Sequence, residues 1–65
     1  MYKTTAYIQS LNRGLSKPTY TDEITVLQDL GNNEYVVEYK GIKCHAIFNW
    51  FIGAFFADDV YAVIE

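Results

Sequence analysis

Three groups of residues in this chain have types and spacing that could carry chemistry. Cys44 and His45 are adjacent, and a thiolate beside an imidazole is a nucleophilic pair. Asp58 and Asp59 are adjacent carboxylates, the residue type that holds a divalent cation or serves as acid and base. The run Phe48-Asn49-Trp50-Phe51-Ile52-Gly53-Ala54-Phe55-Phe56-Ala57 holds five of the chain's eleven aromatic residues. It offers an apolar contact surface rather than a reaction.

Each group also has a structural reading. Successive strand residues point to opposite faces, so Cys44 and His45 diverge if they sit on a strand. Cys44 then reads as a small core residue and His45 as an exposed one. The aspartate pair needs converging ligands to hold a metal, and only Asn49, Glu65 or a loop acid could join it. No D-x-D, H-x-x-H or C-x-x-C spacing occurs in the chain. Asp58-Asp59 therefore reads as a turn or helix end, where Asp side chains bond to nearby backbone. Gly31-Asn32-Asn33 and Arg13-Gly14 match neither phosphate-loop pattern, and no G-x-S-x-G elbow is present. The expectation is a protein without catalytic residues, metal or cofactor.

Composition narrows the partner class. The 65 residues are 51% hydrophobic, 17% aromatic and 20% charged, with a formal net charge of −3. So many aromatics and so little charge argue for one small folded domain over residues 1–65 rather than a disordered segment. All five basic residues (Lys3, Arg13, Lys17, Lys40, Lys43) lie in residues 1–43, balanced there by five acids; residues 44–65 carry three acids and no Lys or Arg. With no basic block to follow a phosphate backbone, nucleic acid is the alternative rather than the expected partner. The longest stretch without a formal charge runs over 14 residues, 44–57, and a spanning helix needs about 20, so no membrane span is expected. One cysteine cannot form an internal disulfide, and residues 1–10 lack the pattern of a signal peptide, which points to the cytoplasm.

The elements that must position these residues are strands. Residues 4–9 read as a first strand and residues 10–22 as a long polar loop containing Gly14, Ser16 and Pro18. Residues 24–30, 35–40 and 42–48 read as an antiparallel meander, joined at Gly31-Asn32-Asn33-Glu34 and Lys40-Gly41. A two-residue turn at Lys40-Gly41 pairs Tyr39 with Ile42, Glu38 with Lys43, Val37 with Cys44 and Val36 with His45. A turn centred on Asn32-Asn33 pairs Leu30 with Tyr35 and Val26 with Tyr39. Together the registers put Val26, Leu30, Tyr35, Val37, Tyr39, Ile42, Cys44, Ala46 and Phe48 on one buried face. Gln28 is the misfit there: either its amide finds a partner or the strand is bulged. Residues 49–59 read as a tight apolar excursion, with room for one helical turn, and residues 60–64 as the closing strand.

Five short strands, a long loop after the first and Ala57-Asp58-Asp59-Val60-Tyr61 before the last resemble an SH3-like small barrel. The resemblance implies an all-β, five-stranded barrel built round the meander. The paired-Trp and proline-pocket pattern of true SH3 domains is missing, so it does not imply binding of Pro-rich peptides. The run Tyr35-Val36-Val37-Glu38-Tyr39-Lys40-Gly41-Ile42-Lys43-Cys44-His45-Ala46-Ile47-Phe48-Asn49, with Ala57-Asp58-Asp59-Val60-Tyr61, is also similar to small uncharacterised proteins of mobile elements of Gram-positive bacteria. That implies a cytoplasmic accessory protein and names no activity.

A barrel of this size has one small core. If Phe48 and Phe55 point inward, some of Trp50, Phe51, Ile52 and Phe56 must remain outside. The expected function is therefore a protein-interaction module, with Trp50, Phe51 and Phe56 making the contact and Arg13, Lys17 and Tyr20 as a rim. Three readings stay open: the aromatics close the barrel ends, they drive self-association, or they meet a different protein or a membrane surface. Flanking Asp58 and Asp59 weaken the membrane reading, because interfacial segments carry Lys or Arg there. Base stacking on the aromatics would need a cationic groove alongside, for which Lys40 and Lys43 are the candidates.

Overall fold

The two tight turns of the meander are written in left-handed backbone. Asn32 and Asn33 have φ of 54° and 65°, and Lys40 and Gly41 have φ of 52° and 81°. Two successive positive φ values define the hairpin turn whose twist matches that of its flanking strands. In the computed structural model, which describes residues 1–59, these turns join β2 (Thr21–Gly31), β3 (Glu34–Tyr39) and β4 (Ile42–Asn49). Before them come β1 (Tyr2–Ile8) and a short 3-10 turn, Gln9–Asn12; after them comes β5 (Ala54–Asp58).

The strands form a closed barrel in the order β1-β2-β3-β4-β5. Each strand runs antiparallel to the one before it. After four such reversals the first and last strands must run the same way, so closure is parallel: Ala6 pairs with Phe55, Tyr7 with Phe56 and Ile8 with Ala57.

The β3–β4 register is the expected one, from Tyr39 with Ile42 through Val36 with His45. The β2–β3 register departs from expectation. Gly31 pairs with Glu34 at the turn, but register shifts between Asp29 and Gly31 and again between Val26 and Gln28 leave Asp29 opposite Tyr35 and Val26 opposite Val37. Each bulge slips the pairing by one residue and hands alternate side chains to the other face. Gln28 is thereby exposed, which resolves the misfit in favour of a bulge. Leu30, expected in the core, is exposed as well. An Asx contact, Gly31 N–H to Asp29 Oδ1 at 2.8 Å, steadies the second bulge. Ile42 is the other exposed member of the expected face, beside the Lys40-Gly41 turn.

The largest correction concerns the fifth strand. Residues 49–59 are not an excursion: β4 extends to Asn49, a tight turn follows, and Ala54–Asp58 is itself the strand that closes the barrel. The closing strand expected at residues 60–64 lies outside the described residues.

Inside, Ala6, Ile8, Ile24, Val26, Val37, Tyr39, Cys44, Ala46, Phe55 and Ala57 form one core, with Tyr35 and Phe48 packed against it. Phe55 sits edge-on to both Tyr35 and Phe48, with centroids 5.1 and 4.9 Å away. Alanine at 46 and 57, paired across β4 and β5, leaves room for those rings in a barrel this narrow. Tyr39 brings a hydroxyl into the core and donates it to Asp22 Oδ2 at 3.0 Å, so burial of the ring leaves no orphan donor.

Candidate interaction surface

The turn between β4 and β5 is closed by one residue. Asn49 C=O accepts from Ile52 N–H (3.2 Å) and Gly53 N–H (2.7 Å). Its side-chain Oδ1 accepts from Phe51 N–H (3.0 Å) and Ile52 N–H (3.3 Å). Gly53, at φ 79°, ends this single helical turn as a left-handed residue. With the backbone satisfied inward, the side chains of residues 50–52 have only solvent to face. Trp50 is 72% exposed, Phe51 88% and Ile52 60%. The indole and phenyl rings stack on each other, centroids 5.7 Å apart and planes at 12°. The result is a stiff apolar knob standing off one end of the barrel.

Phe56 lies elsewhere on the same hairpin. It is half-buried on the outer face of β5, stacked on Tyr7 of β1 at 5.1 Å. The strand registers set Tyr7, Phe56 and Ile47 side by side across β1, β5 and β4. Tyr7 and Phe56 form part of a groove of about 440 Å³ whose lining includes Gln9, Arg13, Pro18 and Asp58. Its loop side is held by Asn12. That amide donates from Nδ2 to Ile8 C=O (2.6 Å) and Tyr20 C=O (2.9 Å), while Oδ1 accepts from Thr19 and Tyr20 N–H at 2.7 and 2.8 Å. One side chain thus ties residues 19 and 20 back to the end of β1, with all its polar atoms occupied.

The structure therefore splits the expected site into two. Trp50 and Phe51 form the knob, whereas Phe56 and Arg13 share the groove. Lys17 and Tyr20 are exposed on the loop but outside the groove lining. Sequence reasoning missed Tyr7 and Pro18. Tyr7 alternates with the core residues Ala6 and Ile8, a signal that it faces out, but its neighbour Phe56 follows only from the parallel closure.

The remaining candidates do not converge. Cys44 is buried and His45 exposed, on opposite faces of β4. Burial, then the charges of Asp59 and Asp58, pushes the Cys44 thiol up from 9.0 to about 11, away from a nucleophile's range. His45 Nε2 donates to Glu34 Oε1 at 3.0 Å on the surface. Asp59 is buried and accepts from Ser10, from its N–H at 2.8 Å and from its hydroxyl. This latches the end of β5 to the 3-10 turn. Among the described residues no group of three or more His, Cys, Asp or Glu is arranged to hold a metal, and no helix is long and apolar enough to cross a membrane. Lys40 and Lys43 stand at the start of β4 and Trp50 just past its end, roughly 20 Å apart at about 3.3 Å per residue. They do not flank the aromatic knob.

No protein-family model, curated protein or solved structure matches this chain.

Proposed function

We propose that this barrel is a protein-interaction module without catalytic chemistry of its own, gripping its partner through the β4–β5 turn and the adjoining outer face. The observation that carries this reading is the exposure of Trp50 and Phe51, 72% and 88%, on a turn closed by four hydrogen bonds to Asn49. Exposed aromatics on a stiff support lose little entropy on binding and supply the anchors that dominate interface energetics. The SH3-like order of elements, a long first loop followed by a meander, fits a scaffold that works through its loops and turns. On the resemblance to small proteins of mobile elements, the module is an accessory protein acting in the cytoplasm.

The test is affinity capture with wild-type and Trp50→Ala baits, each with and without nuclease. A protein retained by the wild type, lost with Trp50→Ala and indifferent to nuclease is the expected result. Capture that depends on nucleic acid and on Lys40 and Lys43 would replace this reading with a nucleic-acid-binding barrel.

A further inference from the structure

The geometry points to a second copy of this chain as the occupant of the groove: the Trp50-Phe51-Ile52 knob of one copy seats in the Tyr7-Phe56-Pro18 groove of another, reciprocally. This deepens the interaction reading above and rests on it.

Knob and groove lie at opposite ends of one face. Along β5 the outward positions are Ala54, beside the knob, Phe56 in the middle and Asp58, in the groove lining. A twofold axis lying in that face and crossing β5 near Phe56 reverses the strand direction. It therefore brings the knob of each copy over the groove of the other, and packs the row Tyr7, Phe56 and Ile47 against its own image. The patch is thus self-complementary, as a closed dimer requires.

The chemistry of the two parts also fits. The groove floor is a stacked aromatic pair and its wall includes Pro18, surfaces that suit an indole and a phenyl ring. Arg13 has no ion-pair partner among the described residues, which leaves its guanidinium free to lie over the Trp50 ring. The indole N–H is a donor only, and Gln9 and Asp58 supply acceptors along the groove. Size agrees as well. At their observed exposures the three knob side chains present roughly 400 Å². Burying both knobs with their grooves, together with the central row of Tyr7, Phe56 and Ile47, removes roughly 1,000 Å² or more, the threshold a specific interface must clear.

The experiment uses the whole chain. Sedimentation velocity and native mass spectrometry follow it from about 1 µM to about 1 mM, with circular dichroism as the check on folding. Trp50 is the chain's one tryptophan, so its emission and its quenching by iodide report on the knob alone. We expect a species of twice 7.5 kDa, with blue-shifted, quencher-protected Trp50 emission as it forms. The knob variant Trp50→Ser/Phe51→Ser and the groove variant Pro18→Glu are each expected to weaken dimerisation by roughly 100-fold or more. Mixed together, they are expected to form a heterodimer, because the mixture alone restores one intact junction.

A chain that stays monomeric throughout overturns this inference, while Trp50-dependent capture of a different protein would leave the interaction reading standing. A dimer sensitive to the knob variant but indifferent to Pro18→Glu, with no rescue on mixing, would also overturn it, showing knob meeting knob.

Discussion

The aromatic run between residues 48 and 56 contains two energetically different populations, and alanine substitutions should separate them. Phe55 is 9% exposed and packs edge-on against Tyr35 and Phe48, so Phe55→Ala removes a core ring and leaves a cavity, at about 3–5 kcal/mol. Trp50 keeps only the remaining quarter or so of its surface in contact, and Phe51 about an eighth. With about 150–250 Å² per aromatic side chain and about 25 cal/mol per Å², the substitutions cost at most about 1–2 kcal/mol for Trp50→Ala and under about 1 for Phe51→Ala. The whole fold, at about 0.05–0.15 kcal/mol per residue, has roughly 3–10 kcal/mol to lose. Phe55→Ala should therefore abolish or nearly abolish cooperative folding, whereas the other two variants stay folded. Urea denaturation followed by far-ultraviolet circular dichroism measures all three. A loss of about 3 kcal/mol or more for Trp50→Ala would mean that the indole is a core residue, and the knob would cease to exist as a binding element.

Lys40 holds φ of 52°, a costly conformation for a side chain of its kind. Replacing it with Asn creates the favoured Asn-Gly turn but gives up the contact of Lys40 Nζ with the Tyr39 ring at 5.4 Å. The net expectation is a gain of about 0.5–1 kcal/mol and a melting temperature several degrees higher; a fall would refute the strain argument. Ser10→Ala deprives the buried Asp59 carboxylate of its hydroxyl donor and should cost about 1.5–3 kcal/mol by denaturation. With the Cys44 thiol raised to about 11, its thiolate fraction at pH 8 falls roughly a hundredfold below that of a thiol at 9, so alkylation should be at least that much slower in the folded chain than in urea. Tyr39 is also raised above its ordinary 10.0, by burial and by its bond to Asp22. Both groups hold protons more tightly when folded, so their contribution to stability should be flat from neutral pH to about pH 9 and fall as pH rises through about 9–11. Stability that rises over that window would contradict both assignments.

The meander was legible because alternation and turn chemistry act over short distances. Glu38 facing Lys43 and Val37 facing Cys44 follow from a two-residue turn at Lys40-Gly41, and the structure has both pairs. The β2–β3 pairs were harder to read, because a bulge is an extra residue with no fixed sequence mark. Gln28 among apolar positions signalled one such residue, and nothing comparable marked the shift that turns Leu30 outward. The fifth strand was missed for a different reason. Ala54–Asp58 carries two adjacent phenylalanines and no clean alternation, so its period is hidden. Phe55 points in and Phe56 out, and both are large and apolar because the outward ring stacks on Tyr7. The same fact concealed the groove. Core volume alone left open whether the aromatics close the barrel ends. It marked Trp50, Phe51, Ile52 and Phe56 as the ones to stand outside only if Phe48 and Phe55 point in, and the partner of Phe56 needed the parallel closure of β1 on β5.

That closure also limits how such a small protein can bind anything. Pairing β1 with β5 removes the open edge that sheets offer to added strands, and the narrow interior is filled by its own side chains, leaving little room for a ligand within. What remains is the outer face and the connections. Of these, the loop tied down by Asn12 and the turn capped by Asn49 are the two whose backbone bonds are committed inward, by one asparagine each. Both asparagines do the same work: they fix a connection so that its side chains stand at a set place on the surface. One fixes the knob and the other the wall of the groove, and β5 joins them on a single face.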